Sequence, residues 1–91
     1  MTRTEVLERA ALIVNGDRDK QYGNPEDNFK RIAELWTAYL GEPDLVGAED
    51  VAIMMMLMKV ARLGASEYQS EDSWIDIAGY AACGAEIATR E

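Results

Sequence analysis

The sequence predicts an all-α fold, a compact four-helix bundle-like domain spanning residues 1–91, and three observations carry that reading. Apolar residues recur at helical spacing in four separate stretches. Glycine-bearing segments separate the stretches, and two of them open on residues that cap helices. No stretch alternates apolar and polar residues in the manner of a half-buried strand. Short connections between consecutive helices favour antiparallel neighbours.

Thr2 and Glu5 have capping-box spacing, and behind them Val6, Leu7, Ala10, Ile13 and Val14 fall on one helical face. Asn15-Gly16 is expected to end this first helix with a left-handed glycine. The second begins with a capping Asn24, Pro25 at the first position, and Glu26 and Asp27 on the positive end of the dipole. Phe29, Ile32, Ala33, Trp36, Tyr39 and Leu40 form its apolar stripe, with both aromatics at the end read as core. Gly41-Glu42-Pro43 stops it.

The third helix is predicted from about residue 48 to 63, opened by Glu49 and Asp50 and closed by Gly64. Its unbroken apolar run, residues 51–58, covers the whole circumference at ~100° per residue, so the helix should be buried on every side. Three companions from a 91-residue chain can hardly enclose it. The expectation is therefore a homo-oligomer joined through this helix, with Met54, Met55, Met56 and Met58 as adaptable packing. The alternative is a methionine-rich core in a monomer. The fourth helix should start near Ser70 or Glu71 and reach about Thr89, with Trp74, Ile77, Ala78, Ala81 and Ala85 facing the interior. Small residues along it, among them Gly79 and Gly84, allow close helix approach.

The chain is 48% hydrophobic and 29% charged, which is globular composition. A formal charge of −8 argues against general nucleic-acid binding, which needs a basic footprint. Cys83 is the only cysteine, so no internal disulfide can form and a reducing cytoplasm is expected. The absence of histidine removes the commonest general base and transition-metal ligand. The start, Met1-Thr-Arg-Thr-Glu, has no signal pattern, and no apolar run is long enough to cross a bilayer. No GxSxG, Walker or zinc pattern is present. Cys83 has no neighbouring base in the sequence to activate it.

Chemistry concentrates at the end of the third helix. Lys59 and Arg62 are the only basic residues between Arg31 and Arg90, against ten carboxylates in the same stretch. On the fourth helix Asp72, Asp76, Gly79, Tyr80 and Cys83 share a stripe, with the two aspartates one turn apart. If the stripes face each other, two readings are open. The pairs are salt bridges that fix helix register, or Lys59 and Arg62 hold the phosphate oxygens of a ligand. In the second reading Asp72 and Asp76 orient the bases or bind Mg²⁺, which takes one or two carboxylates plus substrate phosphates. A second cluster is the loop of residues 17–24. There Arg18 or Lys20 could meet phosphate, Tyr22 could stack on a base, and Gly23 permits close backbone approach. Asn28 just beyond could add a polar contact.

The segments RDKQYGNPEDNFKRIAELW, EDVAIMMMLMKVARL and EDSWIDIAGYAA resemble a small family of phage and prophage proteins over residues 18–86. The tyrosine-glycine loop, the helix ending in Lys-x-x-Arg and the closing Asp-x-x-x-Asp-x-x-x-Tyr helix also resemble, distantly, the all-α MazG-like NTP pyrophosphohydrolases. That resemblance implies a helical, usually oligomeric fold that binds nucleotides, often through magnesium held by helix carboxylates. Asp76 matches the aspartate of the family's ExxD motif, whereas Ser73 stands where its glutamate belongs. The ExxE motif of the preceding helix is missing, Glu49 and Asp50 being adjacent.

Together these readings predict a cytoplasmic, oligomeric, nucleotide-binding protein of phage type. It would either sequester a nucleotide or nucleotide-derived signal or hydrolyse a nucleoside triphosphate. The ligand would meet Arg18, Lys20, Tyr22, Asn28, Lys59, Arg62 and Tyr80, and Asp50, Asp72 and Asp76 would hold Mg²⁺ in the hydrolytic version. The rival is a helical protein–protein interaction module with no small-molecule site, in which Lys59 and Arg62 stay paired to aspartates.

Overall fold

The computed structural model describes residues 1–16 and 23–90, and among these it contains four helices and no strand. They are α1 (Arg3–Asn15), α2 (Pro25–Leu40), α3 (Ala48–Ala65) and α4 (Glu71–Thr89). Arg18, Lys20 and Tyr22 lie outside the described residues.

Each helix begins at its cap. The Thr2 hydroxyl accepts from the Glu5 N–H at 3.1 Å while the Glu5 carboxylate accepts from the Thr2 N–H at 3.2 Å. The Asn24 side chain accepts from the Asp27 N–H at 2.9 Å. Gly47 has no side chain to offer α3, so Asp50 reaches back and accepts the Gly47 N–H at 2.9 Å. Ser70 accepts from the Ser73 N–H at 3.3 Å. These contacts satisfy amide groups that a helix start otherwise leaves without partners.

Two helix ends differ from expectation. Gly16 is not left-handed: its φ is −103°. Glycine is needed there because a Cβ would fall 2.6 Å from the Leu12 carbonyl oxygen. Gly64 does not close α3 but lies inside it. The chain turns after Ala65, where the Ser66 N–H is 3.2 Å from both Arg62 and Leu63 carbonyls and the Tyr68 N–H donates to Leu63 at 2.8 Å. Glu67 (φ 53°) and Tyr68 (φ 65°) take the left-handed conformation that glycine usually supplies. Trp74 Nε1 donates to the Tyr68 carbonyl at 2.9 Å and ties the turn to α4.

The α3–α4 pair is an antiparallel hairpin, as Lys59 beside Asp76 and Ala52 beside Gly84 require. Among the described residues α2 packs on both helices of the hairpin, whereas α1 packs on α4 alone. The core is Phe29, Ala33, Val51, Ala52, Tyr80 and Cys83, with Ile32, Trp36, Met55, Met56 and Ile87 around it. Burying a large side chain of this kind contributes about 1.5–3 kcal/mol.

Two packing expectations are corrected. Tyr39 is 89% exposed, and only Trp36 of the two aromatics reaches the core. The interior face of α4 is Ile75, Gly79, Tyr80 and Cys83, while Trp74, Ala81 and Ala85 are exposed. Because α4 touches all three other helices it is apolar on most sides, so periodicity alone does not select its inner face. On α3 the companion helices of the chain cover one side only. Val51, Ala52 and Leu63 are buried, but Ile53, Met54, Leu57, Met58 and Val60 stand exposed on the far side. Among the described residues no helix is long and apolar enough to cross a membrane.

Candidate functional site

One ion pair occupies the seam between α3 and α4. Lys59 Nζ lies 2.9 Å from Asp76 Oδ2, with the two side chains 13% and 32% exposed. The hairpin register creates it: α3 carries Lys59 on the side turned to α4, and Asp76 stands level with it. The ammonium is held away from most solvent with its counter-charge at hydrogen-bond distance, which neutralises a cation otherwise costly to bury.

The other sequence-predicted residues do not converge on this pair. Arg62 and Asp72 are both exposed, and among the described residues no ion pair joins them. The hairpin register brings Arg62 to the level of Ser73, which is buried and takes a 2.9 Å hydrogen bond from the Ser70 hydroxyl. Tyr80 is buried, its ring centroid 6.1 Å from that of Phe29, and belongs to the core. Asn28 is half-buried in the first turns of α2.

The three aspartates named for Mg²⁺ are not assembled within one chain. Asp50 caps α3, Asp76 is paired with Lys59, and Asp72 faces solvent. At 1.5 Å per residue, Asp50 precedes Lys59 by roughly 14 Å along the helix axis. Among the described residues no three acidic, cysteine or histidine side chains are grouped so as to hold a metal ion. A three-carboxylate magnesium cage does not fit this arrangement, and no chemical step is routed through one.

The structure also places residues together that sequence spacing did not. Arg90 at the end of α4 pairs with Glu26 at the start of α2, closing one end of the packing, and its other nitrogen is 3.7 Å from Glu86. A cavity of about 360 Å³ lies between α1, the start of α2 and α4, lined by Leu7, Ala10, Val14, Asn24, Cys83 and Glu86 among others. Nothing in the sequence marks these positions as neighbours, since they come from three helices and carry no shared motif.

The outer face of α3 carries an apolar band. Ile53, Met54, Leu57, Met58, Val60, Ala61, Gly64 and Ala65 are all exposed and uncharged, in a band about 160° wide by helical geometry. This uncharged band contrasts with a chain in which 29% of the residues are charged.

The family described as Domain of unknown function (DUF6378) matches residues 5–88. The Gene 55 protein of Mycobacterium phage D29 is 45% identical over 78 residues, covering 86% of this chain and 50% of that protein. The Gene 55 protein of Mycobacterium phage L5 is 45% identical over 76 residues, covering 84% of this chain and 47% of that protein. The chain thus spans about half the length of these curated relatives. No solved structure matches it significantly.

Proposed function

The chain belongs to the DUF6378 family, and on that footing we propose that it is a non-catalytic assembly module that works by docking protein on the outer face of α3. The observation that carries this reading is the exposed, uncharged band itself, with Leu57 at its centre 61% exposed. The Lys59–Asp76 pair supports it from the other side of the helix. A lysine already neutralised by an aspartate is a register lock for the hairpin, not an open phosphate site. The test is a photo-cross-linking amino acid at position 57, compared with one at Glu8 on the exposed side of α1. Protein adducts of defined mass at 57 and none at 8, in the cells that express the chain, are the expected result. No adduct at 57 overturns the reading.

A second reading, binding of a nucleotide or nucleotide-derived ligand in the manner of MazG-like proteins, is favoured by Arg62. It is an exposed cation near the end of α3 with no ion pair among the described residues. Sequestration fits it better than hydrolysis, because the aspartates do not form a cage. Purified protein incubated with NTPs, dNTPs and cyclic dinucleotides plus Mg²⁺ decides it. Mass spectrometry of the ligand released on denaturation, and of the supernatant, reads retention and turnover respectively; the absence of both overturns this reading.

A further inference from the structure

We infer that the occupant of the α3 outer face is a second copy of this chain, with the two α3 helices antiparallel about a two-fold axis near the level of residue 59. The inference deepens the assembly reading above and rests on it.

Area is the first argument. The chain exposes 6499 Å², whereas a compact monomer of its 10.1 kDa mass exposes about 5,300 Å². On the α3 outer face Ile53, Met54, Leu57, Met58 and Val60 are each 40–61% exposed, large apolar side chains of the kind that a stable interface removes from water. The radius of gyration, 13.9 Å, is likewise above the about 12 Å of a compact chain this long.

The distribution of side-chain size along the face supplies the second argument, and it selects the partner. Met54, Leu57, Ala61 and Gly64 recur at spacings of three and four, the seam of a two-helix coil. The bulky pair lies in the first half of the seam and the small pair in the second. Antiparallel pairing sets Met54 of one copy against Gly64 of the other and Leu57 against Ala61, twice each, so along this seam each large side chain meets a small one. Parallel pairing would set Leu57 on Leu57 and leave Gly64 on Gly64, too wide at one end and empty at the other. A two-fold contact of this kind closes on itself.

Gly64 is the third argument. It sits in the last turn of α3, and among the described residues a Cβ there would meet nothing within 4 Å. Gly84 is also inside a helix and is explained by Ala52 pressing on it. Gly64 has no such neighbour in its own chain, and the Met54 of a second copy provides one.

The test is sedimentation velocity of the full chain over a wide concentration range, with circular dichroism to confirm folding of each variant. The expected result is a mass that doubles with concentration. Raised salt should tighten association, because each copy carries a formal charge of −8. Leu57→Glu should weaken it on the order of 100-fold, as removal of central apolar anchors does. Lys59→Ala, on the opposite side of α3, should leave it unchanged. The double variant Leu57→Cys/Ala61→Cys should form a disulfide-linked dimer under oxidation, whereas Met54→Cys alone should not. A chain monomeric at all concentrations overturns the inference. If its position-57 adducts carry another protein, only the identity of the occupant is wrong; if there are no adducts either, the assembly reading falls with it. A dimer that Met54→Cys links to itself overturns the antiparallel arrangement.

Discussion

Gly84 lies so close to Ala52 that a Cβ at position 84 would fall 2.8 Å from the Ala52 Cβ. Neither neighbour has a flexible end that can move aside, so this contact sets how closely α3 and α4 approach. Gly84→Ala should destabilise the fold by about 1–3 kcal/mol, the usual range for overpacking, despite alanine's better helix propensity. The swap Ala52→Gly/Gly84→Ala moves the methyl across the same interface and should lie within about 1 kcal/mol of the natural chain. Urea unfolding of the two singles and the double checks this. A Gly84→Ala variant as stable as the natural chain would show that the hairpin is looser than described.

That contact also shows how far the fold was legible. Four helices and their starts were readable because caps are local: Thr2 with Glu5 and Asn24 with Pro25 lie within one turn of each other. Close approach along α4 was readable from its small residues. Its inner face was not, since spacing reads Trp74 as packing and Tyr80 as a ligand contact, whereas Trp74 clamps the turn at Tyr68 and Tyr80 packs beside Phe29. The stop of α3 was not legible either, because Glu67 and Tyr68 adopt left-handed backbone without the glycine that announces it, whereas α1, α2 and α4 end where their sequences indicate.

Lys59→Ala separates a register lock from a ligand site. With Lys59 13% and Asp76 32% exposed, its removal leaves a carboxylate partly shielded and should cost about 1–2 kcal/mol, between the exposed and buried limits. Lys59→Met keeps the stem that packs in the seam and should cost less. Thermal melts of both variants read this. An unchanged melt for Lys59→Ala would mean that the pair adds nothing to the hairpin.

Half of that pairing was visible in the sequence. Lone bases against many acids identified Lys59 as needing a partner, and Asp76 is that partner. The remaining base and aspartate of the two stripes, Arg62 and Asp72, are not joined by an ion pair among the described residues, because register and helix rotation are tertiary quantities that residue spacing cannot supply. Asp50 illustrates the same limit. As an acid near the start of a helix it was equally suited to a metal or a cap, and the missing side chain at Gly47 makes it a cap.

Acid should loosen α1 first. The Glu5 carboxyl is held below its ordinary value of 4.5 by the hydrogen bond from the Thr2 backbone N–H, then by the Thr2 hydroxyl, with smaller help from the N-terminus and Arg9. A depressed native value means that the stabilisation is fully present above the ordinary carboxylate range and is lost as pH falls through the lowered value. NMR titration should place Glu5 below 4.5. In Glu5→Gln, the acid-induced fraying of residues 3–9 should be weaker than in the natural chain. A Glu5 titrating at its ordinary value would remove the capping box as its cause.

Gly64→Ala offers the clearest contrast, because the same substitution made at Gly84 should have the opposite sign. In the dilute chain nothing stands within 4 Å of a Cβ at position 64, so the helix gains about 1 kcal/mol of propensity and the melting temperature should rise. At concentrations where α3 is paired, that methyl meets Met54 of the second copy and association should weaken. Melts at low concentration and sedimentation at high concentration therefore move in opposite directions. A loss of stability in the dilute chain would mean that Gly64 is packed within its own chain after all. A gain in stability with association unchanged would place the seam elsewhere on α3.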